Sequence, residues 1–155
     1  FDRLAPWNTH ANEAIKHFSG TATYVKTLEL SAAQAAGLVR LQLGQLKHVA
    51  RVRLNGKNLG VVWTAPWTVD LSGVVKPGQN RLEIEVTNTW ANRLIGDAGL
   101  PPQKRKTKTN IKLYAGKRDP KLKACQGFAS EHPLLESGLL GPVRLEFGRK
   151  QEVEL

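Results

Sequence analysis

The stretch "WTAPW" sets Trp63 and Trp67 four residues apart around a proline, and "NTWANR" adds Trp90 beside Asn88, Asn92 and Arg93. These residue types suit a sugar. An indole face covers the apolar C–H side of a pyranose ring, while amide and guanidinium groups supply planar hydrogen bonds to hydroxyls. Strand parity argues the other way. Trp67 is in phase with Val69 and Leu71, Trp63 with Leu59 and Val61, and Trp90 with Leu82, Ile84 and Val86. That phase draws each indole toward a core. Packing is therefore the leading expectation for all three, with ligand stacking as the alternative.

Hydrolytic chemistry finds less to work with. Glycoside hydrolysis uses two carboxyl groups about 5–9.5 Å apart, and the acids here are scattered. Glu83 and Glu85 alternate on an outer strand face, where arginines or lysines balance them. Asp70 closes a strand, a position suited to a turn hydrogen bond. Asp97, Glu131 and Glu136 fall in a long loop and could reach a neighbouring domain's site. No catalytic residue is expected in this chain. Lysines near Cys125 in "KACQGF" would favour a thiolate, but no motif ties that thiol to His10, His17, His48 or His132. One cysteine and four dispersed histidines give no zinc signature. No cofactor is expected.

The formal charge of +10 is concentrated. Between Gln103 and Lys123 nine basic residues, beginning with Lys104, Arg105, Lys106 and Lys108, face one acid, Asp119. Such a run reads first as a solvated loop and second as a contact for an acidic partner, such as a neighbouring domain or a charged polysaccharide. Nucleic-acid recognition is disfavoured, because single-strand binders add several stacking aromatics and Tyr114 stands alone here.

The elements that must position these residues are mostly strands. Period-two alternation runs through "TATYVKTLEL" (Tyr24, Leu28, Leu30), "LVRLQL" (Val39, Leu41, Leu43), "VARVRL" (Ala50, Val52, Leu54), "RLEIEVTN" (Leu82, Ile84, Val86) and "VRLEF" (Val143, Leu145, Phe147). Asn55-Gly56 predicts a tight type I′ hairpin into "KNLGVVW", and "KPGQN" a Pro-Gly turn. Seven or eight short strands at this spacing predict an all-β antiparallel sandwich or barrel. Helix is sparse. "SAAQAAGL" predicts a short one with Ser31 as N-cap and Gly37 as stop, and "NTHANEAIKHF" is open between helix and extended arm. The strand region is expected to end near Ile95. A long loop, 96–142, follows, with a short strand around "NIKLY".

At 155 residues the chain fits one domain. No run of about 18 apolar residues is present, so no membrane-spanning helix is expected. Nor does a basic-then-apolar segment mark a signal peptide in these residues. A chain with no methionine that starts Phe-Asp-Arg is expected to be part of something longer.

The segment "VARVRLNGKNLGVVWTAPWTVDLSGVVKPGQNRLEIEVTNTWANRLIGD", with "HFSGTATYVKTLEL" before it and "PLLESGLLGPVRLEF" after, resembles the sugar-binding jelly-roll domain of glycoside hydrolases. It is most similar to the C-terminal β-sandwich of large bacterial α-L-rhamnosidases. The resemblance covers roughly residues 15–148. It implies a galactose-binding-domain-like jelly-roll, with 1–14 an arm or linker and 149–155 a tail. It also implies a noncatalytic accessory role beside a separate catalytic domain, and an extracellular or periplasmic parent. Carbohydrate and that catalytic domain are the implied partners. Relatives often hold a structural calcium, but no dense acidic loop supports one here. An autonomous carbohydrate-binding module and a basic-loop interaction module remain alternatives.

Overall fold

A computed structural model describes residues 3–108 and 127–149. Nine strands and three α-helices are present among them: β1 (Thr21–Leu30), β2 (Leu38–Gln42), β3 (Gln45–Lys47), β4 (Val49–Leu54), β5 (Lys57–Val62), β6 (Thr68–Asp70), β7 (Gly78–Thr87), β8 (Gly138–Gly141) and β9 (Arg144–Gly148), with α1 (Glu13–Lys16), α2 (Ala32–Ala36) and α3 (Ala91–Ala98). The strand proposed around "NIKLY", Cys125 and the basic residues from Lys112 onward lie outside the described residues.

The chain divides into two compact units. The first takes the described residues within 1–6, 20–88 and 137–155, and holds every strand. A four-stranded sheet runs β1-β7-β4-β5, a three-stranded sheet β6-β2-β9, and β3 pairs with β8, all antiparallel. This is an all-β antiparallel sandwich. Alternation sets which face is inside. Val39 and Leu41 from one sheet, Leu43 just beyond β2, and Ala50, Val52, Leu54 and Val86 from the other sheet are fully buried. On the outer face Glu85 lies 3.2 Å from Arg51 and 2.8 Å from Arg53, and Glu83 lies 2.7 Å from Arg81.

Two turns hold the sheets in register. Asn55 (φ 51°) and Gly56 (φ 82°) form the left-handed pair that joins β4 to β5. Asn55 bonds through its side chain to the Arg81 amide at 2.9 Å and to buried Asn80 at 2.9 Å. Asn80 in turn closes the Pro-Gly turn, accepting from the Lys76 amide (3.0 Å) and donating to the Lys76 (2.7 Å) and Gly78 (3.0 Å) carbonyls. Ser31 caps α2 in a reciprocal box with Gln34, and Gly37 ends it, as the sequence predicts.

Three sequence expectations change. The first is β8, which lies inside the stretch read as loop. Its signal is steric: a Cβ on Gly44 would sit 2.4 Å from the Gly141 carbonyl carbon, so only glycine allows the two backbones to meet. The second is Phe147, which has inward parity but is 46% exposed, because it sits at the end of edge strand β9. The third is "WANRLIGDA", which is helix α3 and not the tail of a strand. Its buried residues Ala91, Asn92 and Ile95 follow a helical period.

The second unit takes the described residues within 7–19 and 89–136. Here "NTHANEAIKHF" holds only the four-residue helix α1, which Asn12 caps by accepting from the Ala14 amide at 2.9 Å. Trp7, 1% exposed, meets Phe18 edge-on at a centroid distance of 5.5 Å. Gly96 of α3 packs so closely on His17 that a Cβ would fall 2.7 Å from the ring.

Candidate functional site

The site begins with the register of β5. Arg53 pairs with Asn58 and Arg51 with Val61, so Leu59 and Gly60 together oppose Val52. This is a bulge, and Gly60 carries the left-handed conformation it uses (φ 104°). One extra residue inverts strand parity. Beyond it Val61 and Trp63 turn away from the core, 49% and 70% exposed. The expectation that Trp63 shares a buried face with Leu59 therefore fails, and for a definite reason. Trp67 is half-buried, and its carbonyl accepts from the Leu43 amide at 2.8 Å.

Both indoles line one cleft of about 410 Å³ with Gln45, Leu46, Lys47, His48 and Val49. That volume falls in the range of small-molecule sites. The walls combine aromatic faces with an amide, an ammonium and an imidazole, a set that can cover the apolar side of a sugar and bond its hydroxyls. His48 Nδ1 is buried and has no hydrogen-bond partner among the described residues. A second opening of about 500 Å³ combines an aliphatic floor, including Leu28, Leu41, Ile84 and Leu139, with Tyr24 and the cationic Arg3, Lys26 and Arg144. Nothing in the alternation pattern signals His48, Gln45 or Lys47, since β3 was not legible as a strand.

The other polar residues expected at a sugar site are bound within the protein. Asn88 accepts from the Gly20 amide at 2.9 Å and fastens the start of β1 to the end of β7. Asn92, 2% exposed, bonds both the amide and the carbonyl of Leu135 at 2.7 Å. Arg93 lies 2.9 Å from Asp97 one helical turn on. Trp90 stands at the N-terminus of α3 and is 65% exposed, because the strand parity that would bury it stops at Thr87. Trp90, Asn92 and Arg93 belong to the second unit, and Trp63, Trp67 and Asn88 to the first.

Three of the expected carboxylates are held locally, Glu131 by the Ser130 hydroxyl at 3.2 Å. Asp70 accepts from the Ser72 amide at 2.8 Å, the turn bond its position predicts. Asp97, placed in a loop by the sequence, is a buried residue of α3. Burial pushes its carboxyl up, but the hydroxyl and amide of Thr107, the Arg93 guanidinium and the Lys106 amide together hold it below its ordinary value. Among the described residues no cluster of histidine, cysteine, aspartate or glutamate could hold a metal, and no helix is long and apolar enough to cross a membrane.

Residues 6–119 match the family model described as glycosyl hydrolase 2 galactose-binding domain-like. The chain belongs to that family. A protein of Formosa agariphila named "Putative beta-glucuronidase" is 41% identical over 94% of this chain, which spans 13% of that protein. The solved rhamnosidase of Novosphingobium sp. PP1Y superposes with a TM-score of 0.75 and 36% identity, covering 94% of this chain and 12% of that one. The chain is thus about an eighth of the length of each relative.

Proposed function

We propose that the chain is a noncatalytic accessory domain of a glycoside hydrolase of α-L-rhamnosidase type, packing on a separate catalytic domain and extending its carbohydrate-binding surface. The supporting observation is the 36% identity across 94% of the chain to a rhamnosidase, 12% of whose length the match covers. The internal pairing of Glu83, Glu85, Asp70 and Asp97 supports the noncatalytic part. In this reading Trp63 and Trp67 form the sugar-facing wall, and the parent protein is extracellular or periplasmic.

The test uses the longer polypeptide that carries this chain, assayed with nitrophenyl α-L-rhamnoside and nitrophenyl β-D-glucuronide. Rhamnoside turnover is expected, with Trp63→Ala raising KM for an oligosaccharide while kcat holds, since uniform binding is what an accessory contact supplies. Turnover of the glucuronide alone would refute the rhamnosidase assignment.

A second reading, an autonomous carbohydrate-binding module, draws on the openness of Trp63. It predicts that the isolated chain shows a saturable change in Trp fluorescence with rhamnose or a plant polysaccharide, abolished by Trp63→Ala. Absence of any response favours the accessory role.

A further inference from the structure

The start of the basic segment is built, and its side chains alternate. Within the second unit, Lys104 ends a 3₁₀ turn (Pro102–Lys104), and Lys104, Lys106 and Lys108 are exposed while Arg105 and Thr107 are half-buried between them. The two inward residues are anchors. Arg105 Nε donates to the Leu100 carbonyl at 2.8 Å. The Thr107 amide and hydroxyl each donate to Asp97 Oδ2 at 2.7 Å. Asp97 is itself buried and held 2.9 Å from Arg93 on its other oxygen. None of the three lysines makes an ion pair with a described residue. We propose that Lys104, Lys106 and Lys108 form a cationic comb that binds an anionic polysaccharide, one bearing carboxylate or sulfate groups, with Arg105 and Thr107 as its positioning residues.

Anchoring matters because ordering a mobile segment on binding costs free energy, and a segment already fixed avoids that cost. Three outward ammonium groups are compact point charges that suit spaced carboxylates or sulfates. The one arginine of the comb, whose fork would favour phosphate, is turned inward to a carbonyl. No aromatic stands between the lysines to stack a base, which separates this surface from single-strand nucleic-acid binders. Membership in a glycoside hydrolase family makes a polysaccharide the polymer at hand.

The experiment measures binding of the intact chain at low salt to polygalacturonate, dextran sulfate, neutral dextran and oligothymidylate. Two variants of equal charge change are compared: Lys104→Glu/Lys106→Glu/Lys108→Glu, and Lys117→Glu/Arg118→Glu/Lys121→Glu. The comb variant is expected to weaken binding to both anionic polysaccharides at least tenfold more than the control. Thr107→Val, which removes one anchor and no charge, is expected to weaken it severalfold. Neutral dextran should not bind. A Lys→Gln triple replaces the Lys→Glu one if circular dichroism shows the latter unfolded. Equal losses in the two triple variants would overturn the proposal, because net charge alone would then explain binding. Tighter binding of oligothymidylate than of either polysaccharide would overturn it as well.

Discussion

Replacing Asn80 by alanine strips partners from three backbone groups and from the Asn55 side chain at once. The residue is 1% exposed, so water cannot substitute freely. A buried group left unsatisfied costs about 1–3 kcal/mol, and Asn80→Ala is expected to lose about 2–3 kcal/mol in urea denaturation. Trp63 is the opposite case. With 70% of its surface in solvent, Trp63→Ala should change stability by no more than about 0.5 kcal/mol, and any effect on sugar binding then belongs to the cleft itself. A large loss of stability in Trp63→Ala would return that indole to the core. Asn92 resembles Asn80 in kind. Its side-chain amide donates to the Leu135 carbonyl and accepts from the Leu135 amide, which makes it a fastener of the segment before β8.

Elements were legible where one rule governed them. β1, β2, β4 and β7 follow from alternation, the β4–β5 hairpin from Asn55-Gly56, and α2 from Ser31 and Gly37. Legibility stopped where a local event broke the rule. The bulge at Leu59–Gly60 inverted the phase of β5 and moved Trp63 from the expected inner face to the outer one. β3 and β8, three and four residues long, are too short for a pattern, and their pairing depends on Gly44 meeting Gly141. Gly44→Ala, with its Cβ 2.4 Å from a backbone carbon, is expected to cost about 1–3 kcal/mol as an overpacking change, read as a lowered melting temperature. The clasp on α3 gives a pH prediction. The Asp97 pKa is lowered in the fold, so its contribution is complete above the ordinary value of 3.8 and drains away as pH falls through the lower folded value. The melting-temperature gap between the wild type and Asp97→Asn should therefore be constant near neutrality and shrink below about pH 4.

At the scale of the whole molecule, the family could be read from the order of its motifs, and the structure shows what each motif does in this chain. Asn-Gly-Lys, Pro-Gly-x-Asn and Ser-Gly-Leu-Leu-Gly are the turn, the turn lock and the close backbone approach that hold the sheets in place. They specify a scaffold. The two proposed binding features are what the scaffold presents: an open indole cleft on the sandwich and an anchored row of lysines on the smaller unit. Among the described residues, neither is lined by the paired carboxylates that cleave a glycosidic bond. The most direct measurement is therefore hydrolysis by the 155-residue chain alone, at high protein concentration, of nitrophenyl α-L-rhamnoside and nitrophenyl β-D-glucuronide. A noncatalytic domain predicts no turnover above the buffer rate for either substrate. Turnover that disappears on replacing a single aspartate or glutamate would contradict it.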